Sequence, residues 1–247
     1  MPGFNDHFSG VARDYQRFRP HYSPELFQLL ADLVPARERA WDCGTGGGQA
    51  ARGLLHHFNQ VVASDASCEQ LLTCSNSGLA RLCCLAEAVP LRDRCVDLVT
   101  VAQALHWFDR ERFYAEVRRI LRPGGVIAVW TYQLLSISPE MDPLLRRLHT
   151  ETLGDDWPPE RAMVEQGYAN LDFPFAELPL AAPSMWANWD LRTVMGYLST
   201  WSAVSRYRLR VGRDPLPEVE RELSERWPSD AQKIPVIWQL TMRVGRV

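Results

Sequence analysis

Short apolar runs alternate with amphipathic stretches through residues 1–133, the pattern of strands joined by crossover helices. Ala40–Asp42 leads into a cluster of glycines, and a helical stretch follows from Gln49 to about Phe58. Gln60–Ser64 reads as a second strand that ends at Asp65. Ser67 is placed to cap the next helix, with Gln70 three residues on as in a capping box, and Gly78 is its stop. A third strand is expected over about Leu82–Ala86, and a fourth over Val96–Val101, an apolar run broken only by Asp97. From Arg110 to Leu121, Phe113, Val117, Ile120 and Leu121 recur at helical spacing. Arg122-Pro123-Gly124-Gly125 ends that helix, and Val126–Trp130 is a fifth strand. Strand–helix units in such succession predict a doubly wound, mostly parallel α/β sheet.

Beyond Trp130 the pattern loosens. Pro139, Pro143, Pro158 and Pro159 punctuate two helical pieces, the second over about Glu160–Gly167. Leu191–Leu198 and Leu216–Trp227 read as helices and Ile234–Val244 as a last strand. Arg206, Arg208 and Arg210 alternate; on an extended stretch that puts three guanidinium groups on one face, where they attract an anionic ligand or simply meet solvent. The expected division is a leading segment (1–35) that lies over the sheet, a strand–helix core (36–133), and a final part (134–247) that completes the sheet.

Composition narrows the classes. At 247 residues the chain buries a core without needing disulfide staples. Lys plus Arg number 27 against 30 Asp plus Glu, a net charge of −3, and residues 1–133 carry 14 of each sign. Neither part has the basic excess that neutralises a run of phosphates, so no nucleic-acid partner is expected. The first ten residues lack a signal-peptide pattern, and no apolar run reaches the roughly 18 residues of a membrane span, so a cytoplasmic protein without a membrane partner is expected. All six cysteines fall between Cys43 and Cys95 without a CxxC pair. They read as reduced core thiols, with Cys83 and Cys84 in a buried strand, and no metal site is expected.

The sharpest chemistry lies in Asp42-Cys43-Gly44-Thr45-Gly46-Gly47-Gly48-Gln49, between a strand and a helix. Glycines there permit a tight turn and close approach of a ligand to backbone N–H groups. Asp65, at the end of the second strand, is suited to hold both ribose hydroxyls of a nucleotide-like cofactor. A nicotinamide-linked oxidoreductase is one reading, but the third glycine of its fingerprint falls on Gln49, and Asp42 would repel a pyrophosphate. An acidic residue at that place fits a ligand with an ammonium group.

The glycine turn resembles motif I of class I methyltransferases. The likeness continues through Ser64-Asp65-x-Ser67, Ala86-Glu87-x-x-Pro90, Ala102-Gln103-Ala104-x-His106-Trp107-Phe108 and Leu121-x-Pro123-Gly124-Gly125. Upstream it includes Phe8-Ser9-Gly10 and Tyr15-x-x-x-Arg19-Pro20-x-Tyr22. Together these resemble the methyltransferase type 11 family, in the branch of trans-aconitate methyltransferase-like proteins. Gly47 stands where the family usually has Thr, a change that removes one hydroxyl from the turn.

The resemblance implies a Rossmann-like, seven-stranded sheet with a helical cap, and S-adenosyl-L-methionine (SAM) as cofactor, leaving S-adenosyl-L-homocysteine. It implies that Gly44 and Gly46 line the methionine part of SAM and that Asp42 sits near its ammonium through the turn. Asp65 would take the ribose, Ala86 and Glu87 the adenine, and Gln103 the sulfonium end. Tyr15 and Arg19 would form a lid that orders on binding, with Arg19 on the cofactor's carboxylate. His106 is the candidate base or loop-orienting residue, and a carboxylate acceptor, ionised at neutral pH, would need no base. His106, Trp107, Trp130, Tyr132 and Trp201, with Trp186 and Trp189, are candidate walls of a small-molecule acceptor pocket. A SAM-binding sensor without turnover is the non-enzymatic alternative. Oligomeric state stays open between monomer and homodimer.

Overall fold

The computed structural model describes residues 18–74 and 78–247. Apolar, β-branched runs form five parallel strands: β1 (Arg39–Cys43), β2 (Gln60–Asp65), β3 (Leu79–Cys83), β4 (Val96–Ala102) and β5 (Leu121–Ser136). Three further strands follow: β6 (Ala176–Glu177), β7 (Met185–Trp189) and β8 (Ile234–Arg246). Among the described residues the sheet runs β3-β2-β1-β4-β5-β8-β6, with β7 paired to β8, so it has eight strands rather than seven. Strand β8 is antiparallel to β5. The chain moves outward from β1 to β3 and then returns to β4 on the other side of β1. That reversal opens a crevice at the carboxyl ends of β1 and β4, where ligands of doubly wound sheets bind.

Nine helices among the described residues flank the sheet: α1 (Pro24–Asp32), α2 (Gln49–Leu54), α3 (Cys68–Thr73), α4 (Arg110–Ile120), α5 (Asp142–Arg147), α6 (Arg161–Glu165), α7 (Leu191–Ser199), α8 (Ser202–Val211) and α9 (Leu216–Ser224). Because strand side chains alternate faces, Ala40, Val61, Ala128 and Trp130 meet Phe27 and Leu30 of α1 and Leu54 of α2 on one side. Val99, Val101, Ile127 and Val129 meet Phe113, Val117 and Ile120 of α4 on the other. A further core, with Tyr132, Leu145, Val194, Leu198, Leu223 and Trp238, gathers where β5 and β8 run past the parallel strands. The Ser67 hydroxyl caps α3, accepting from Gln70 N at 3.3 Å, but Ser67 N donates to Asp65 instead of the Gln70 side chain, and α3 ends at Thr73, short of Gly78. Asp97, fully buried, accepts from Glu38 N, Arg39 N and Arg122 Nη1 and so ties the start of β4 to its neighbours.

Several local expectations are corrected. Strand β3 begins three residues early, at Leu79, because its register against β2 pairs Val61 with Leu79 and Asp65 with Cys83. Strand β5 absorbs Arg122-Pro123-Gly124-Gly125, and its register against β4 shifts between Val96 and Leu98. The helices opening at Gln49 and Leu216 end at Leu54 and Ser224, and that near Glu160 spans only Arg161–Glu165. Arg206, Arg208 and Arg210 lie on helix α8, not on an extended stretch. Arg208 pairs with Asp214 and Arg210 with Asp156.

The cysteines are also corrected. Cys68 opens α3, Cys83 closes β3, and the two are joined as a disulfide with Cα atoms 5.5 Å apart. Cys83 is exposed and Cys84 half-buried, so neither sits in a buried strand. Cys43, Cys74, Cys84 and Cys95 are free thiols.

Candidate functional site

The turn after β1 is built by its carboxylate. Asp42, 1% exposed, accepts from Thr45 Oγ1 (2.6 Å), Ala51 N (3.1 Å) and Thr100 Oγ1 (2.7 Å). Burial outweighs these bonds and pushes its pKa from 3.8 up to about 6. Gly44 and Gly46 both adopt left-handed φ, at +65° and +52°. A Cβ on Gly44 would lie 2.6 Å from Ala104 Cβ, so that glycine lets β1 approach the β4 loop. A Cβ on Gly46 would meet only Gln70 Oε1 at 3.9 Å, which leaves that part of the turn open to a ligand.

Asp65 reaches back over the turn. Its carboxylate accepts from Gly46 N (2.8 Å) and Ser67 N (2.9 Å). Ala86 is buried after β3, and Glu87 accepts from Asp109 N at the start of α4 (2.8 Å). Gly44, Gly46, Asp65 and Glu87 thus frame the carboxyl ends of β1, β2 and β3, whereas Asp42, buried and held by three donors, shapes the turn from beneath rather than facing a ligand. That donor and acceptor set fits an adenosyl cofactor.

The β4 loop turns sharply, with Gln103 held at φ +58°. The Gln103 amide bridges to β5, donating to Tyr132 O (3.2 Å) and accepting from Thr131 Oγ1 (2.8 Å). Next to it lies a cavity of about 80 Å³. Gln103, His106 and Trp107 line it from the β4 loop, Tyr132 from β5, Tyr197 and Trp201 from α7 and its C-terminal end, and Trp157 and Arg161 from α6 and the segment before it. Arg19 closes it from the leading segment, donating to Tyr132 Oη at 2.9 Å and stacking on the Tyr197 ring at 5.2 Å. The Arg161 guanidinium stacks on Trp157 at 4.8 Å, and its Nε stands 3.7 Å from Glu165 outside the cavity wall.

His106 Nδ1 lies 2.9 Å from Tyr168 Oη. Burial, with the Arg161 charge adding to it, pushes the His106 pKa down to about 3, so the imidazole is neutral at physiological pH. The same two causes push His149, behind Trp157 and Trp201, down to about 4.

Three expected wall residues stand elsewhere. Trp130 is fully buried on the α1 face of the sheet, with its ring against Tyr22. Trp186 is 61% exposed on β7, and Trp189 packs behind the cavity on Trp238 and Tyr197. Tyr15 lies outside the described residues. Arg161 and Tyr168 were not foreseen; the sole signal in the sequence was a helical piece near Glu160 in a stretch of otherwise weak pattern.

The chain was compared with known proteins. A family model described as a methyltransferase domain matches residues 41–129. A Dictyostelium discoideum protein named as a methyltransferase is 31% identical over 225 residues, covering 89% of this chain and 86% of that one. The chain belongs to the class I SAM-dependent methyltransferases. A solved structure of a type II methyltransferase from Anaeromyxobacter dehalogenans matches this methyltransferase at a TM-score of 0.88 and 42% identity, covering 93% and 98% of the two chains. Malonyl-[acyl-carrier protein] O-methyltransferase of Enterobacter lignolyticus is 27% identical over 241 residues, 93% of this chain and 94% of that one. Membership displaces the nicotinamide-linked alternative. Among the described residues of the methyltransferase, no helix is long and apolar enough to cross a membrane, and no group of three His, Cys, Asp or Glu could hold a metal ion.

Proposed function

We propose that this methyltransferase esterifies a small carboxylic acid and turns over, rather than sensing SAM. The observation that carries the reading is the charge of the cavity: among the described residues two guanidinium groups, Arg19 and Arg161, line it, and no carboxylate does. Such a lining favours an anion. The cavity, at about 80 Å³, is well below the roughly 300–1,000 Å³ of sites for drug-sized ligands, so it admits a compact acid or the acid end of a longer one. Two resemblances point the same way: the motif series of the trans-aconitate branch, and the O-methyltransferase named for a malonyl group, which ends in a carboxylate.

When bound, SAM supplies an electrophilic methyl group on a sulfonium, which a carboxylate oxygen accepts as an ester while the C–S bonding pair stays on sulfur. The residues supply the rest. Asp65 would hold the ribose, Ala86 and Glu87 the adenine, and the Gly44–Gly46 turn, which Asp42 shapes from beneath, the amino-acid end. Gln103, fixed by Tyr132 and Thr131, sits at the boundary between cofactor site and cavity. Arg161 orients the acid, and the Trp107, Trp157 and Trp201 rings exclude water, so positioning provides most of the acceleration. Arg19, ahead of α1, would close the site between a cofactor core (36–133) and a substrate side (134–247).

The test is transfer of radiolabelled methyl from SAM to a panel of small mono-, di- and tricarboxylic acids beside matched alcohols and amines. Label that is released by mild base, as from an ester, is expected with acids alone. Arg161→Gln loses one charge-assisted bond, worth roughly 1.5–3 kcal/mol, so KM for the acid rises about tenfold to a hundredfold while SAM still binds. Base-stable label on an amine or an alcohol sinks the proposal.

A further inference from the structure

Tyr168 is a residue whose backbone is strained and whose side chain has a single side-chain partner in the site. It is 1% exposed and follows Gly167, and both residues have φ of +60°. A bulky residue in the left-handed region is uncommon and persists only where its surroundings over-determine it. Here Tyr168 N donates to Met163 O at 3.0 Å, Arg243 Nη1 donates to Tyr168 O at 3.2 Å, and a Cβ on Gly167 would lie 2.8 Å from Thr241. The turn is thereby pinned from both α6 and β8, and it delivers the phenol to His106.

The phenol oxygen carries one proton and accepts up to two hydrogen bonds. The backbone N–H groups of His106 and Leu105 lie on the side of that oxygen and favour negative charge on it. The phenol is 1% exposed, so its proton needs an acceptor inside the protein, and among the described residues the hydrogen-bond partner of Tyr168 Oη is His106 Nδ1 at 2.9 Å. Nδ1 accepts, so the ring proton must sit on Nε2. The charged and titratable groups around the ring are Arg161 on α6 and Tyr168 itself, with Arg19 and Tyr132 across the cavity.

We infer that Tyr168 is a positioning residue that locks His106 in its Nε2–H tautomer, so that His106 offers the acceptor a hydrogen-bond donor and no basic lone pair. This rests on the carboxylate reading and deepens it. An acid that is already ionised needs one oxygen free to attack and the other held by donors, and the His106 N–H beside Arg161 meets that need. An alcohol, which must lose a proton as it reacts, finds no acceptor on this ring. The catalytic-base role considered for His106 is replaced by a donor role.

The test reads the tautomer directly, in the full chain without acceptor. The protein is labelled with ¹⁵N-histidine, the His106 signals are identified by their loss in His106→Gln, and imidazole ¹⁵N–¹H correlations are followed between about pH 5 and about pH 8. The expected result is a single Nε2–H form that does not titrate across the range. Tyr168→Phe is expected to convert it to a mixture of tautomers or to an Nδ1–H form. An Nδ1–H or titrating ring in the unaltered protein overturns the inference, as does a pattern unchanged in folded Tyr168→Phe. Should that variant fail to fold, the tautomer of the unaltered protein decides alone. Because no acceptor is present, this outcome is independent of the methyl-transfer panel, and either reading can fail without the other.

Discussion

Replacing Asp42 with Asn isolates the electrostatics of the glycine turn. In the folded chain the carboxyl group is 1% exposed and its pKa is raised from 3.8 to about 6. That displacement is worth about 3 kcal/mol at about 1.4 kcal/mol per unit. Both states hold the proton below pH 3.8, so the group has no effect there; as pH rises towards about 6 the unfolded chain releases it first, and stability falls by the full amount. Asn keeps the shape: its carbonyl oxygen can serve Thr45 Oγ1 and Ala51 N, and its amide can donate to Thr100 Oγ1. The stability of Asp42→Asn minus that of the unaltered protein should therefore grow by about 2.5 kcal/mol between about pH 4 and about pH 7.5. Urea unfolding of both proteins across that range measures it. The depressed carboxylates Asp156, Glu177, Asp190 and Glu222 contribute the opposite slope, but they are common to both proteins and cancel in the difference. A difference constant to within about 0.5 kcal/mol over the range would refute the reasoning, since it would mean that burial does not govern this carboxyl group.

Two further substitutions probe the frame around the site. Gly44→Ala places a Cβ 2.6 Å from Ala104 Cβ at a φ of +65°, so calorimetry should show a loss of roughly 2–4 kcal/mol, about 5–15 °C in Tm, and a change under about 2 °C would contradict the close approach. Asp97→Ala strands Glu38 N and Arg39 N in the interior while the half-exposed Arg122 rehydrates, so chemical denaturation should show a loss of about 3 kcal/mol, and one below about 1 kcal/mol would show that water replaces the carboxylate.

The parallel core was legible because its signals are local and agree with one another. The strand before Gly44, the cap at Ser67 and the helix from Arg110 each follow from a few neighbouring residues, and the ordered motifs fixed where Asp65 and Gln103 sit. Strand β3 slid because it is the edge strand: its buried positions are few, and Leu79-Ala80-Arg81-Leu82-Cys83 and the residues just after it read equally well. The alternating arginines misled because a spacing of two is also compatible with a helix, and here α8 ends on Gly212 at φ +76°. Arg161 and Tyr168 were invisible for a different reason. Their places depend on β8 and the β4 loop, far away in sequence, and nothing in the short helix α6 announces a cavity. Cys68 and Cys83 meet only because β3 pairs with β2 in one particular register, which no count of cysteines reveals.

The insertion of β8 between β5 and β6 has a consequence for how the chain is made. Strand β5 is 16 residues long and largely buried, and its outer edge is satisfied by β8, synthesised roughly a hundred residues later. Until then a nascent chain with all its parallel strands complete presents that apolar edge as a template for another chain. The late strand is therefore both the closing piece of the sheet and its protection against aggregation, and interrupted synthesis or slow elongation over residues 137–233 should be the point at which a cell loses this protein to chaperones or inclusion bodies.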